Sequence, residues 1–389
     1  MDKVGRDVVL LGISHHNGLG LVRSLGINGV NPYGIIIGEN SNKSFIRKSK
    51  YWKKTWAVED DKAAVELLQR EFGNRTEKII VIPYADGAAY EVDRNLNKLS
   101  KFCVLPSINN EEGRIAELMN KQSQYSYCKE LGIPMLDTVT IDIGIYSGGV
   151  SYPVILKPVV SVEGRKLDIT ICENKSEYME AVRELSKKGY TRVLAQSYLK
   201  NRQEYVLTGA ISKNRFSFIV VHNLRQWPLY MGCGSYSEFV KIPKITNYCS
   251  EILGKIQQSG YTGLIDIDFF SDEHGQIFLN EINWRCSGKN ELSLYTGVFS
   301  AYQYYCDILN NSYDKLLKND KEGFYMNEAS DIRHVFAGNI SLMQWLRDLI
   351  KTNSFAVWYC DDTKPFFARI MYYVMKAPGY LAKGLMGSK

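Results

Sequence analysis

The eight cysteines of this 389-residue chain, Cys103, Cys128, Cys172, Cys233, Cys249, Cys286, Cys306 and Cys360, form no CxxC pair. Neither a zinc site nor a disulfide framework is therefore indicated, and a reducing, cytoplasmic setting is the expectation. The opening Met1-Asp2-Lys3-Val4-Gly5-Arg6-Asp7 lacks the apolar core of a signal peptide, and no uninterrupted apolar stretch is long enough to span a bilayer. Histidine is scarce, with five in the chain, and no Ser-His-Asp or cysteine nucleophile constellation stands out. Long Lys or Arg runs are missing too. The net charge of +6, from 48 basic and 42 acidic residues, favours anionic small molecules or a membrane surface over dedicated nucleic-acid binding. Internal repeats and low-complexity segments are absent. Gly12, Gly18 and Gly20 do not make GxGxxG, which argues against a Rossmann dinucleotide site.

What is present is globular: 45% hydrophobic and 23% charged residues, at a length that implies two or three domains. Val8-Val9-Leu10-Leu11-Gly12 reads as a buried parallel strand, followed by a polar turn from Ser14 to Gly20 and a helical pattern from Leu21. A helix over Asp61 to Phe72 and a strand Ile79-Ile80-Val81-Ile82-Pro83 complete the outline of a doubly wound α/β domain. Ligands of such sheets sit at the carboxyl ends of strands, here Ser14, His15, Asn17 and Asp86-Gly87. Further on, the pattern predicts a helix from Lys121 to about Leu131, strands Tyr152–Pro158, Leu167–Cys172, Arg192–Tyr198, Glu204–Ile211 and Phe216–His222, and a helix Ser176–Lys188.

The most informative stretch is Asp268-Phe269-Phe270, followed by Phe278-Leu279-Asn280-Glu281-Ile282-Asn283-Trp284-Arg285. The polar run Ser271 to Gln276, with Gly275, reads as a hairpin turn that brings Asp268 opposite Glu281. Strand alternation puts Glu281 and Asn283 on one face. Two carboxylates and an amide suit Mg2+, which keeps several waters and is completed by substrate phosphates. Single acidic residues in such strands usually face solvent; three together, followed by Arg285, favour a metal-nucleotide site. Lys157, at a strand end before the Ser161–Lys166 loop with Gly164, Arg165 and Lys166, suits a phosphate. Arg225, before the Gly-rich Met231–Ser235 stretch, suits a carboxylate or phosphate fork.

Taken in order, Lys121, Lys157-Pro158, Gln196-Ser197-Tyr198-Leu199 with Glu204, Arg225, Asp268 and Glu281-Ile282-Asn283-Trp284-Arg285 resemble the ATP-grasp superfamily, and within it the carboxylate-amine ligases of the bacterial D-aspartate ligase kind. The resemblance runs from Leu11-Gly12, through Pro83–Gly87 and Asn120–Tyr125, to Asp361–Pro365. It implies an ATP-grasp fold, α/β in class, with a doubly wound pre-ATP-grasp domain over residues 1–115, an ATP-grasp domain over 116–310 with a lid subdomain near 150–200, and a helical C-terminal extension over 311–389. It also implies ATP and Mg2+ as cofactors. Lys121 and Lys157 would hold the phosphates under the Ser161–Lys166 loop; Gln196, Ser197 and Leu199 would line the adenine pocket; Glu204 would accept from the ribose. Asp268, Glu281 and Asn283 match the metal ligands, Arg225 and Arg285 the catalytic cations at the acyl phosphate, and Ser287 and Gly288 amides assist, with Ser14 and Asn17 near the substrate. Gln196 stands where Glu is frequent in the family.

The implied activity is ATP-dependent activation of a small carboxylic acid, an amino acid by resemblance, and its transfer to an amine, with a cell-envelope precursor as one acceptor. A phosphotransferase and a non-catalytic nucleotide-binding module are the alternatives. Tyr302-Gln303-Tyr304-Tyr305 reads as a helix packing face. The tail Pro365–Leu385 mixes Phe366, Phe367, Ile370, Met371, Tyr372, Tyr373 and Val374 with Arg369, Lys376 and Lys383, which suits a docked helix, a homodimer interface or an interfacial helix at the inner face of an anionic membrane.

Overall fold

The computed structural model describes residues 5–143, 151–158, 168–229, 233–311 and 322–386, with no side-chain description for Pro158 or beyond Met375. Five strands, β1 (Val8–Ile13), β2 (Tyr33–Ile37), β3 (Lys54–Val58), β4 (Ile79–Pro83) and β5 (Cys103–Val104), form a parallel sheet of order β3-β2-β1-β4-β5. The order reverses beside β1, which opens a crevice at the carboxyl ends of β1 and β4. Val8 to Leu11 and Ile79 to Ile82 are almost completely buried, as expected of continuous apolar runs covered on both faces. The helix Asp61–Phe72 is capped by Asp60, whose side chain accepts from Ala63 N at 2.8 Å.

The expected polar turn from Ser14 to Gly20 is instead mostly helix. His16–Ile27 is helical, and the His15 side chain caps it by accepting from Asn17 N. Gly20 is in this helix because of packing: a Cβ there would lie 2.7 Å from Glu291 N. Glycine looks like a turn residue in sequence, but here it permits close approach to a neighbouring segment.

The short β6 (Ser107–Ile108) leads from the first sheet to the rest of the chain. A small antiparallel sheet follows, made of β7 (Thr138–Asp142), β8 (Val154–Pro158), β9 (Thr170–Cys172) and β10 (Arg192–Ser197) in the order β7-β10-β8-β9. The helix Lys175–Lys187 packs Tyr178, Ala181 and Leu185 with Leu156 and Val193 of this sheet.

The large sheet contains β11 (Gln203–Ile211), β12 (Phe216–Trp227), β13 (Cys233–Phe239), β14 (Tyr261–Ser271), β15 (Ile277–Asn283), β16 (Phe324–Met326) and β17 (Ser354–Phe355). They run in the order β15-β14-β11-β12-β13-β16-β17, and β6 adds to β14. The extension expected to be helical thus completes the sheet with β16 and β17; strands of three and two residues carry no readable alternation. The rest of that extension includes the helices Leu342–Lys351 and Lys364–Met386. One apolar core joins Leu10, Leu21 and Tyr84 of the first sheet's side to Val206, Ile219 and Leu264 of the large sheet. Each fully buried side chain of this kind contributes roughly 1.5–3 kcal/mol, so the shared core holds the two sheets around a common crevice.

Candidate active site

Between the small sheet and the edge of the large one lies a pocket whose lining includes Lys121, Tyr125, Lys157, Gln196, Asn280 and Glu281. Lys157 is paired with Leu194 across β8 and β10, so Gln196, two residues along, is its diagonal neighbour on the same face. Lys157 Nζ donates to Gln196 Oε1 at 2.7 Å and to Asn280 Oδ1 at 3.4 Å, while Gln196 Nε2 donates to Thr138 Oγ1 at 3.0 Å. Burial pushes the Lys157 ammonium down to about 7; the Lys121 cation adds to this and Glu281 opposes it. Two cations lining one pocket, with Lys157 held by side-chain amides, form a ready anion site. Lys121 opens the helix Lys121–Glu130, whose cap Asn120 accepts from Gln122 N and Ser123 N.

Opposite the lysines, β14 and β15 place Asp268 against Glu281 and Asp266 against Asn283. All four therefore share one face. Asn283 Nδ2 lies 3.3 Å from Asp266 Oδ1 and 3.4 Å from Asp268 Oδ2. Burial raises the Asp268 carboxyl well above its usual range, and the neighbouring Asp266 and Glu281 charges raise it further. A cation here would relieve that repulsion. Among the described residues no three His, Cys, Asp or Glu side chains converge closely enough to cage an ion by themselves. Asp268, Glu281 and Asn283 fit a partial shell, of the sort Mg2+ completes with water and phosphate oxygens.

A bulge sits between Asp268 and Phe269, where the partner skips from Glu281 to Leu279. Asn280 is the extra residue. Without the bulge, Asn280 and Glu281 would point to opposite faces; with it, both line the same pocket. The edge of β15 is finished by Gln124, which donates to Ile282 O and accepts from Ile282 N, both at 2.8 Å. One side chain thus acts as a strand mate and fixes the Lys121 helix to the carboxylate hairpin.

Beyond β15, Arg285 meets the first sheet. Its Nε donates to Asp86 Oδ1 at 2.8 Å and Nη2 to Asp86 Oδ2 at 3.3 Å, with a further contact to Asn283 Oδ1 at 3.3 Å. Burial disfavours this guanidinium, but the carboxylates of Asp86 and Asp266 outweigh it and hold it charged. The next turn, Gly288–Leu292, is capped by Ser287, which accepts from Lys289 N at 3.2 Å. It sits on His16–Ile27 so tightly that a Cβ on Gly288 would lie 2.1 Å from His16 Nε2.

The other expected residues fall in several places. Ser14 shares a hydrogen bond with Ser44 (2.6 Å), and the buried Asn17 donates to Tyr84 O and Cys286 O, both at 3.4 Å, as a clasp across the crevice. Burial holds His15 down to about 4 and His16 well below its usual value, so both are neutral. Ser197 ends β10 and Leu199 follows it, half-buried. Glu204 is engaged by Arg202 Nε at 2.8 Å and by Gln226. Arg225 does not present an open fork: Nε and Nη2 donate to Asp331 at 3.1 and 2.8 Å, Nη1 to Asp348 at 2.6 Å, and Tyr236 stacks beneath. That arrangement ties β12 to the C-terminal segment. The Ser161–Lys166 loop lies outside the described residues.

No family model matches the chain. A curated relative, D-aspartate ligase of Enterococcus faecium (strain Aus0004), is 25% identical over 245 residues, 57% of this chain and 56% of that protein. The match spans about half of the relative's length. Among solved structures, N5-carboxyaminoimidazole synthetase from Staphylococcus aureus superposes with a TM-score of 0.66 over 87% of each chain at 16% identity, and has also been solved with ADP. L-amino acid ligase from Bacillus licheniformis superposes with a TM-score of 0.62, covering 82% of this chain and 80% of that one, at 15% identity. This chain has the ATP-grasp fold.

Within the ATP-grasp frame, sequence reasoning missed four residues. Gln124 and Asn280 are ordinary amides whose roles depend on an edge strand and a bulge. Asp266 was in view, two residues before Asp268, with the same face as the signal. Lys289 follows Ser287-Gly288 with no pattern to single it out, and is only 6% exposed.

Proposed function

We propose that the chain is an ATP- and Mg2+-dependent ligase that activates a small carboxylic acid, an amino acid, as an acyl phosphate and joins it to an amine. The observation that carries this reading is the pocket in which Lys121 and Lys157 face the Asp268, Glu281 and Asn283 hairpin. A carboxylate attacking a phosphate brings anions together, so fixed cations must offset the repulsion. Lys121 and Lys157 bind the nucleotide phosphates; Ser197, Leu199 and Glu204 lie towards the base and ribose; Arg285, aimed by Asp86, steadies the reacting carboxylate. Asp268, Glu281 and Asn283 would hold Mg2+, which would supply positive charge to offset that of the phosphates. We take residues 1–115, 116–310 and 311–389 as the working domains.

Incubation with ATP, Mg2+, a panel of D- and L-amino acids and hydroxylamine as the amine tests this. The expected products are ADP, phosphate and a hydroxamate, with D-aspartate the first acid to try. A phosphorylated product stable to hydroxylamine would assign a phosphotransferase, and nucleotide binding with no ADP release a binding module.

We also propose peripheral contact with an anionic bilayer, where a membrane-borne acceptor is available. Among the described residues no helix is long and apolar enough to cross a membrane. The helix Leu342–Lys351 nevertheless exposes Leu342, Met343, Leu346 and Ile350, the last 84% accessible, and Lys364–Met386 exposes Phe367, Met371, Val374 and Met375. The latter helix has Lys364, Arg369, Lys376 and Lys383 and no acidic residue, which fits an anionic lipid surface. Co-sedimentation with phosphatidylglycerol vesicles, absent with phosphatidylcholine and lost on Ile350→Asp or Phe367→Asp, is expected. A concentration-dependent dimer broken by the same substitutions, without vesicle binding, would assign this face to a second copy of the chain.

A further inference from the structure

Among the described residues, Lys289 is a buried ammonium whose hydrogen bonds go to neutral side chains. Its Nζ donates to Asn223 Oδ1 at 3.0 Å and to Ser237 Oγ, and lies 4.9 Å from the centre of the Tyr325 ring. These partners are neutral. Burial draws the ammonium down to about 8, while Cys233, then Asp266 and Asp268, near enough to be felt through space, oppose that fall. The backbone packs closely on it: a Cβ on Gly234 would lie 2.8 Å from Nζ and 2.0 Å from Asn223 Oδ1. A buried cation that lacks a counter-charge is costly, and an arriving anion removes the cost.

Its position says which anion. Lys289 follows Ser287, whose side chain also bonds the Asp266 carboxylate, and its turn rests on the helix at the crevice of the first sheet. An anion on Nζ would therefore sit at the carboxylate end of the cleft, towards Arg285, and away from the Lys157 pocket. Arg285 is already matched by Asp86, whereas the hydrogen bonds of Lys289 go to an amide and a hydroxyl. We propose that Lys289 binds the carboxylate of the acid substrate and presents it for phosphorylation. The inference rests on the ligase reading.

Hydroxamate kinetics of the full chain test it. In Lys289→Met the KM for the acid should rise about tenfold or more while the KM for ATP stays within about twofold. Lys289→Arg, which keeps the charge, should hold the acid KM within about fivefold. Lys289→Gln keeps hydrogen bonding to Asn223 and Ser237 without charge, and should behave as Met does if the Met variant fails to fold. The thermal shift given by the acid with Mg2+ and a non-hydrolysable ATP analogue should vanish in Met and Gln and persist in Arg. A lower melting temperature with an unchanged acid KM, or an ATP KM that rises alone, overturns the proposal and leaves the ligase reading standing. If the parent forms no hydroxamate with any acid, the ligase reading fails and this inference falls with it.

Discussion

Arg285 and Asp86, far apart in the chain, form a two-point fork at 2.8 and 3.3 Å that ties the carboxylate hairpin to the mouth of the parallel sheet. Asp86 is half-exposed, so the fork should matter more for aim than for stability. Asp86→Asn is expected to change unfolding free energy by no more than about 1 kcal/mol, while hydroxamate formation falls about tenfold. Urea melts beside initial rates would check this; unchanged rates would reduce the pair to a surface clasp.

The depressed Lys157 sets a pH dependence with a definite sign. A lysine whose folded value, about 7, lies below its unfolded value leaves the unfolded chain binding more protons between the two. Its contribution to stability therefore rises from about pH 7 towards pH 10. Melting curves of the ligand-free protein should show this rise, and Lys157→Met should lack it. Saturating MgATP analogue should flatten the parent's curve by restoring a counter-charge.

Much of this was legible in the sequence, for identifiable reasons. The buried run at Val8, the helix Asp61–Phe72 and the hairpin from Asp268 to Asn283 each carry a strong period or a turn glycine, and the structure has them. Gly275 indeed turns with φ +73. Gly18 and Gly20 misled because a glycine demanded by helix packing looks the same as one demanded by a turn. Lys289 and Gln124 were invisible because burial is decided by segments distant in the chain. The C-terminal strands were too short to leave a pattern.

Asp268→Asn should act in opposite directions on stability and function. Removing one of the clustered carboxylates should raise ligand-free stability by about 1 kcal/mol, since the native site repels itself. The thermal shift produced by Mg2+ with the ATP analogue should be lost, and hydroxamate formation with it. A variant that is less stable than the parent would deny the repulsion.

Arg23 offers a purely structural counterpart. Completely buried, it donates to Asp362 Oδ2 at 3.0 Å, to Glu291, and to the carbonyls of Val357 and Asp362 at 3.0 and 2.9 Å. Arg23→Met leaves two buried carboxylates without their cation and should cost roughly 3–5 kcal/mol. Chemical denaturation measures it. Burial already raises Glu291 to about 7 against the pull of Arg23, and without Arg23 it rises further, so the loss should be smallest below pH 7, where Glu291 is protonated in both proteins, and should grow as the pH rises above it.

The single extra residue at Asn280 gives the hairpin a phase offset. On both sides of it β15 gives one face to the apolar core, Leu279 before and Ile282 after, while Asn280 and Glu281 both turn to the pocket. Deleting Asn280 would leave Leu279, Glu281, Ile282 and Asn283 in plain alternation, with core and site faces kept and only the Asn280 contact to Lys157 lost. The insertion therefore adds a polar group to the pocket without disturbing the strand's apolar backing.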